Sequence, residues 1–107
     1  MITLDKKTTN TEWVEYDEDV SFELRPFPLS QRSLTPSGSN IIEVLIKQAI
    51  YCLVDWKGIV DTEGELIKCD AENKKFLFDY SDELVNFVCD NSAKLNAKLV
   101  NISSKKT

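Results

Sequence analysis

The chain has 107 residues, of which 42% are hydrophobic and 29% charged, so it is long enough for one domain with its own core and too apolar to be wholly disordered. The formal net charge of -5, from 13 basic and 18 acidic residues, disfavours nucleic acids and anionic membrane surfaces as partners, because both attract clustered lysine and arginine. There is no histidine, which removes the usual general base, the histidine-dependent nucleophile pairs and the most frequent metal ligand.

The three cysteines, Cys52, Cys69 and Cys89, are spaced too irregularly for a disulfide framework or a zinc site. Each is expected to act as a small buried apolar residue in a reducing compartment. Cys69 is the best candidate nucleophile, because Lys68 precedes it and a predicted helix follows, although a lone cysteine is usually inert. Residues 61–65 resemble the start of a calcium loop but lack its glycine at position six. We therefore predict no enzymatic activity, no cofactor and no metal site.

Residues 1–10 are polar and without periodicity, and are predicted to form a disordered leader. Residues 11–28 are predicted to form a β-hairpin, in which Val20, Phe22 and Leu24 alternate with polar residues and the acidic run 17–19 supplies the turn. A short helical turn at 29–34 and a loop rich in serine, proline and glycine at 35–39 follow.

Three helices are predicted after this loop. The first covers 40–57, with Asn40 as its N-cap, apolar residues around most of its girth and Gly58 as its stop signal. A very short second hairpin is possible around the turn 61–64. The second helix covers 70–80 and the third 81–102, with Ser81 as the N-cap of the third. Residues 103–107 are predicted to be a flexible tail.

These elements predict one globular domain over residues 11–102. The expected fold class is α+β, mostly α, with the N-terminal β-hairpin packed on a bundle of three to four helices. The predicted core is shared by the hairpin and the helices and comprises Val20, Phe22, Leu24, Ile42, Leu45, Ile46, Ala49, Leu53, Trp56, Phe76, Leu84 and Val88.

Two apolar surfaces are candidates for binding another protein. The distal half of the last helix carries Leu95, Leu99 and Ile102, and is predicted to extend past the domain and contact a partner or a second copy. The hairpin carries Trp13 and Tyr16, and its open edge is a natural surface for oligomerisation. Packing within the domain's own core is the competing interpretation of both surfaces.

Several short motifs occur in an order that spans residues 12–90. They are Trp13-Val14-Glu15-Tyr16, then Phe22-Glu23-Leu24-Arg25-Pro26, then Trp56-Lys57-Gly58-Ile59-Val60-Asp61 with Gly64, and Asn73-Lys74-Lys75-Phe76-Leu77 at a helix start. In this order the chain resembles small proteins of tailed bacteriophages, including the tail assembly chaperones of long-tailed phages.

The resemblance implies a protein of the bacterial host cytoplasm that binds the tape measure protein, or another tail component, and keeps it soluble during tail assembly. No residue of that family is catalytic. Two other classes remain open. One is a phage-encoded inhibitor that occupies a basic site with the acidic residues 17–19, 79, 82, 83 and 90. The other is a connector or structural protein that stays in the virion.

Overall fold

The computed structural model describes residues 1–6, 11–34 and 40–102. The order of elements is β1 (Ile2–Leu4), β2 (Glu12–Asp17), β3 (Val20–Leu24), a 3-10 helix (Leu29–Leu34), α1 (Ile41–Cys52), β4 (Leu53–Lys57), α2 (Ala71–Tyr80), α3 (Asp82–Leu99) and β5 (Val100–Ile102). The predicted α+β class is confirmed, with about 48% helix and 26% strand. No helix in these ranges is long and apolar enough to cross a membrane.

The predicted hairpin is the first two strands of a three-stranded antiparallel sheet. The strand order is β2-β3-β4, so β3 lies in the centre, where Phe22 pairs with Val14 on one side and with Trp56 on the other. Phe22 and Leu24 point to the inner face and are fully buried, because α1 and α3 contribute to the same core. The sheet therefore has one covered face and one open face.

The helix predicted over 40–57 is too long, since α1 ends at Cys52 and β4 begins at the next residue. The Leu53 N–H still bonds to the Ala49 carbonyl, but the backbone then becomes extended and pairs with β3. The sequence did not indicate this change from helix to strand, because residues 41–56 are mostly apolar and an apolar run is typical of both a buried helix and a buried strand. Gly58 is consequently not a helix stop but the residue that follows β4.

The predicted disordered leader and the predicted end of the third helix are also wrong in part. Helix α3 ends at Leu99, and Val100–Ile102 forms β5, which pairs with β1, Ile2 opposite Ile102 and Leu4 opposite Val100. The β-branched residues of both segments favour this pairing over a further turn of helix or a free leader. The rest of the predicted leader at 7–10, the loop 35–39 and the predicted tail 103–107 lie outside the described residues.

The local signals at the helix starts are confirmed. The side chains of Asn40, Asp70 and Ser81 accept hydrogen bonds from backbone N–H groups in the first turns of α1, α2 and α3. The short helical turn at 29–34 and the second hairpin are also present, the latter as a bridge between Val60 and Leu66.

The core contains six of the predicted residues in fully or almost fully buried form: Phe22, Leu24, Ala49, Leu53, Trp56 and Val88. Ile42 and Phe76 are exposed, so their placement in the core was wrong. Three consecutive apolar residues, Phe76-Leu77-Phe78, do not indicate which side of α2 faces the core, and in the structure Phe78 is the buried one. The predicted list also omitted Phe27, Val85 and Leu95, whereas Cys52 and Cys89 are buried as expected of the cysteines.

Trp56→Ala should lower the free energy of unfolding by about 3–5 kcal/mol, since it removes a large side chain from a packed core. Trp56 is 7% exposed, and its indole N–H donates to the Ile67 carbonyl at 2.8 Å. Trp13→Ala is the matched control, because Trp13 is 40% exposed and should cost about 1 kcal/mol. Urea denaturation followed by circular dichroism measures both values, and equal losses would contradict this packing.

Gly58→Ala and Gly64→Ala should differ in cost although both glycines have positive φ, at 87° and 84°. Each substitution places a side chain in the left-handed region, at about 1–2 kcal/mol. A Cβ at Gly58 would overlap the Asp19 carbonyl oxygen, whereas a Cβ at Gly64 meets open space. We expect Gly58→Ala to cost about 1–3 kcal/mol more than Gly64→Ala in the same denaturation assay. Equal costs would show that the hairpin turn does not lie against Gly58.

Candidate functional site

A groove of about 510 Å³ opens between the segment that follows β3 and the C-terminal end of α3. We refer to it as the β3–α3 groove. It is larger than two grooves along α1, which have volumes of about 240 and 390 Å³. Its lining is mostly apolar and consists of Arg25, Pro26, Phe27, Pro28, Leu29, Tyr51, Asn96, Leu99 and Val100. A surface of this kind suits contact with apolar side chains.

One wall of the groove is held by a double hydrogen bond to Asn96. The Asn96 side-chain oxygen accepts from the Phe27 N–H at 2.8 Å, and its side-chain amide donates to the Phe27 carbonyl at 2.8 Å. Pro26 and Pro28 lack an N–H group, so this segment cannot continue the sheet. Asn96 thus replaces a strand partner and fixes the Pro-Phe-Pro segment on α3.

Arg25 forms the charged floor of the groove. Its Nε–H donates to the Tyr51 carbonyl at 2.7 Å, and its guanidinium carbon lies 3.9 Å from the centre of the Tyr51 ring. Phe27 packs edge-on against the same ring, at 5.6 Å between ring centres. Among the described residues that line the groove, Arg25 is the one with a charged side chain, and it has no salt bridge with a carboxylate elsewhere in the described ranges.

The structure divides the residues of the last helix that the sequence predicted for partner binding. Leu99 is half-buried and lines the groove, close to the exposed side chains of Leu29 and Val100. Leu95 is almost fully buried in the core, so its prediction as a contact residue was wrong. The predicted helical extension is absent, because Ile102 belongs to β5 and pairs with Ile2.

Trp13 and Tyr16 do not form one surface. Trp13 lies on the open face of the sheet, where the Lys57 ammonium is 4.5 Å from the centre of its ring. Tyr16 is half-buried on the inner face and packs edge-on against Phe87 at 5.0 Å, while its hydroxyl donates to Glu83. Of the two, Trp13 remains accessible for contact, and neither lines the groove.

Sequence reasoning missed most of the groove. Arg25, Tyr51 and Asn96 were not predicted, because they meet only when the chain after β3 folds over the ends of α1 and α3. One usable signal was present. Asn96 interrupts the apolar stripe of the last helix directly after Leu95, and a polar residue at such a place needs a specific hydrogen-bond partner.

The cysteines are poor nucleophiles in this fold. Burial raises the pKa of Cys69 to about 11 despite the nearby Lys74, and burial raises the pKa of Cys89 to about 11. Burial also raises the pKa of Cys52, beside Ser92. All three thiols therefore stay protonated at neutral pH. Within the described ranges, no group of three cysteine or acidic side chains is placed to hold a metal ion.

Asn96→Ala should lower the free energy of unfolding by about 2–4 kcal/mol, because it leaves the N–H and carbonyl of the buried Phe27 without partners. Asn91→Ala is a matched control on the same helix. The Asn91 amide donates to the Phe87 carbonyl, which already belongs to the helix, so we expect a loss of about 0.5 kcal/mol or less. Chemical denaturation compares the two, and equal losses would contradict the anchoring role of Asn96.

Comparison with known proteins gives no indication of function. No protein-family model, no curated protein and no solved structure matches the chain. The function proposed below consequently rests on the geometry of the β3–α3 groove and on the motifs in the sequence.

Proposed function

We propose that this protein binds an apolar segment of a partner protein in the β3–α3 groove and keeps that partner soluble. The observation that carries the proposal is the apolar rim of the groove. Leu29 is 69% exposed and Val100 is 48% exposed, and both line the same mostly apolar groove. Apolar surface that flanks a concave site gains free energy when a partner covers it, at about 25 cal/mol per Å².

Scattered exposure elsewhere does not carry the same argument. Ile41 and Ile42 are exposed side by side, and the exposed rings of Phe76 and Tyr80 lie 4.9 Å apart, but none of these four residues lines the β3–α3 groove. The groove differs because its walls are fixed by hydrogen bonds through Asn96 and Arg25. A preformed site of this kind loses less conformational entropy on binding than a flexible surface does.

The most specific form of the proposal takes the partner from the sequence resemblance. Tail assembly chaperones bind the tape measure protein, and a groove for apolar side chains suits that role. A nucleic acid is a poor alternative, since the described residues of the groove offer one cation and nucleic-acid binding requires several. The rim and Trp13 together would give the chaperone two separate contact surfaces, one at the groove and one on the open face of the sheet.

A second candidate function uses the acidic end of the molecule. The hydrogen bond from Tyr16 to Glu83 brings the start of the hairpin turn, with its acidic residues 17–19, to the first turn of α3, which contains Asp82. Such a cluster could occupy the basic site of a target protein, as an inhibitor does. Binding of that kind would weaken steeply with salt, whereas apolar contacts in the groove would persist.

Co-expression with the tape measure protein of a long-tailed phage tests the proposal. We expect the wild-type chain to raise the soluble fraction of that protein and to co-purify with it at both low and high salt. The double variant Leu29→Ser/Val100→Ser should lose most of this effect, because it removes both apolar residues of the rim.

Ile41→Ser/Val60→Ser is the matched control. Ile41 is 69% exposed and Val60 is 48% exposed, the same values as for the rim residues, but neither lines the groove. This control should keep the solubilising effect. No gain in solubility with the wild-type chain would overturn the chaperone proposal, and association that disappears at high salt would favour the acidic inhibitor instead.

A further inference from the structure

We infer that the β3–α3 groove recognises an acidic side chain in its partner segment, with the Arg25 guanidinium as the receptor for the carboxylate. This inference rests on the proposed function and names the chemistry of the segment that the groove takes: apolar residues flanking one aspartate or glutamate. Three features of the molecule support it: the geometry of Arg25, the charge of its surroundings, and the lack of a salt bridge between Arg25 and any carboxylate of the described residues.

The Arg25 guanidinium is held in a fixed plane. Its Nε–H is bound to the Tyr51 carbonyl at 2.7 Å, and the Tyr51 ring lies under it at 3.9 Å. The Arg25 backbone N–H is bound to the Cys52 carbonyl at 3.0 Å, which fixes the start of the side chain as well. A planar guanidinium that is already oriented can donate two parallel hydrogen bonds to a carboxylate with little further loss of entropy.

The charge around Arg25 favours a carboxylate over a neutral group. The chain has a net charge of -5, yet the part of the lining that the structure describes has one charged side chain, which is positive. Tyr51, Phe27 and Leu99 surround that charge with apolar surface, where electrostatic attraction is stronger than in water. An acidic partner residue would be repelled by most of this protein's surface and attracted here, so the groove would also set the register of the bound segment.

Asn96, the amide side chain of the lining, is already committed. Asn96 uses both its side-chain oxygen and its side-chain amide on Phe27. The terminal N–H groups of Arg25 have no carboxylate partner among the described residues. Arg25 is therefore the charged donor that the described lining can offer to a ligand, beside the neutral hydroxyl of Tyr51. A side-chain carboxylate is the source that fits a segment inside a longer partner chain, as the proposed function requires.

Peptide binding tests the inference. The probe is a fluorescein-labelled amphipathic peptide of about 15 residues with blocked ends, which carries leucines at helical spacing around one central glutamate. The control peptide has glutamine in place of that glutamate. Fluorescence anisotropy should show that the wild-type protein binds the glutamate peptide at least about tenfold more tightly. Arg25→Gln should reduce the ratio of the two affinities to about one.

The ratio is read within each variant, so a partial loss of folded protein does not imitate the result. Arg25→Lys keeps the charge without the planar fork and should give an intermediate ratio, and it serves as the test if Arg25→Gln does not fold. The rim variant Leu29→Ser/Val100→Ser should weaken both peptides equally, because it leaves Arg25 in place.

Three results would overturn the inference, and they separate it from the proposed function. Equal affinities for the glutamate and glutamine peptides, both lost in the rim variant, would leave groove binding intact and remove carboxylate recognition. Tighter binding of a glutamine peptide with a free C-terminus would assign the carboxylate to a chain end. A lack of binding by every peptide would remove both the groove function and the inference.

Discussion

The fold depends on which donors form hydrogen bonds with the backbone carbonyl groups in the last turn of α1. A helix ends with carbonyl groups that lack partners, and here the chain enters β4 with no loop to bring in water. Arg25 supplies the missing donors: its backbone N–H bonds to the Cys52 carbonyl and its Nε–H to the Tyr51 carbonyl. The Lys74 ammonium donates to the next carbonyl, that of Leu53, at 2.5 Å. With these bonds in place, β4 can pair with β3, and α2 is anchored beside the sheet.

The hydrogen bonds of Arg25 at the end of α1 link the core to the β3–α3 groove. Arg25 donates a hydrogen bond to a carbonyl at the end of α1, and its guanidinium group also forms the floor of the groove. The Pro-Phe-Pro segment that follows it carries Phe27 into the core and at the same time forms a wall of the groove. The part of the groove formed by Arg25 and the Pro-Phe-Pro segment is therefore built on the core itself, and no separate loop is needed to shape it.

Local chemistry in the sequence was sufficient for the parts of the fold that depend on short-range contacts. The caps Asn40, Asp70 and Ser81 and the hairpin over β2 and β3 follow from residue type and spacing. The end of α1 at Cys52 could not be predicted, because the pairing of β4 with β3 overrides the helical preference of the apolar run. The groove was missed for a related reason: Arg25, Tyr51 and Asn96 are distant in sequence, and only Leu99 had been identified.

The ribbon of β1 and β5 has a consequence for how the groove moves. Pairing residues 2–4 with residues 100–102 closes a loop of nearly the whole chain, and this costs conformational entropy. A two-stranded ribbon is also only marginally stable by itself. It should open more readily than the central sheet and exchange its amide protons earlier. Leu99 and Val100 lie where α3 passes into this ribbon, and both line the groove. The wall of the groove formed by Leu99 and Val100 should therefore move more than the Arg25 floor, and it can do so without disturbing the core.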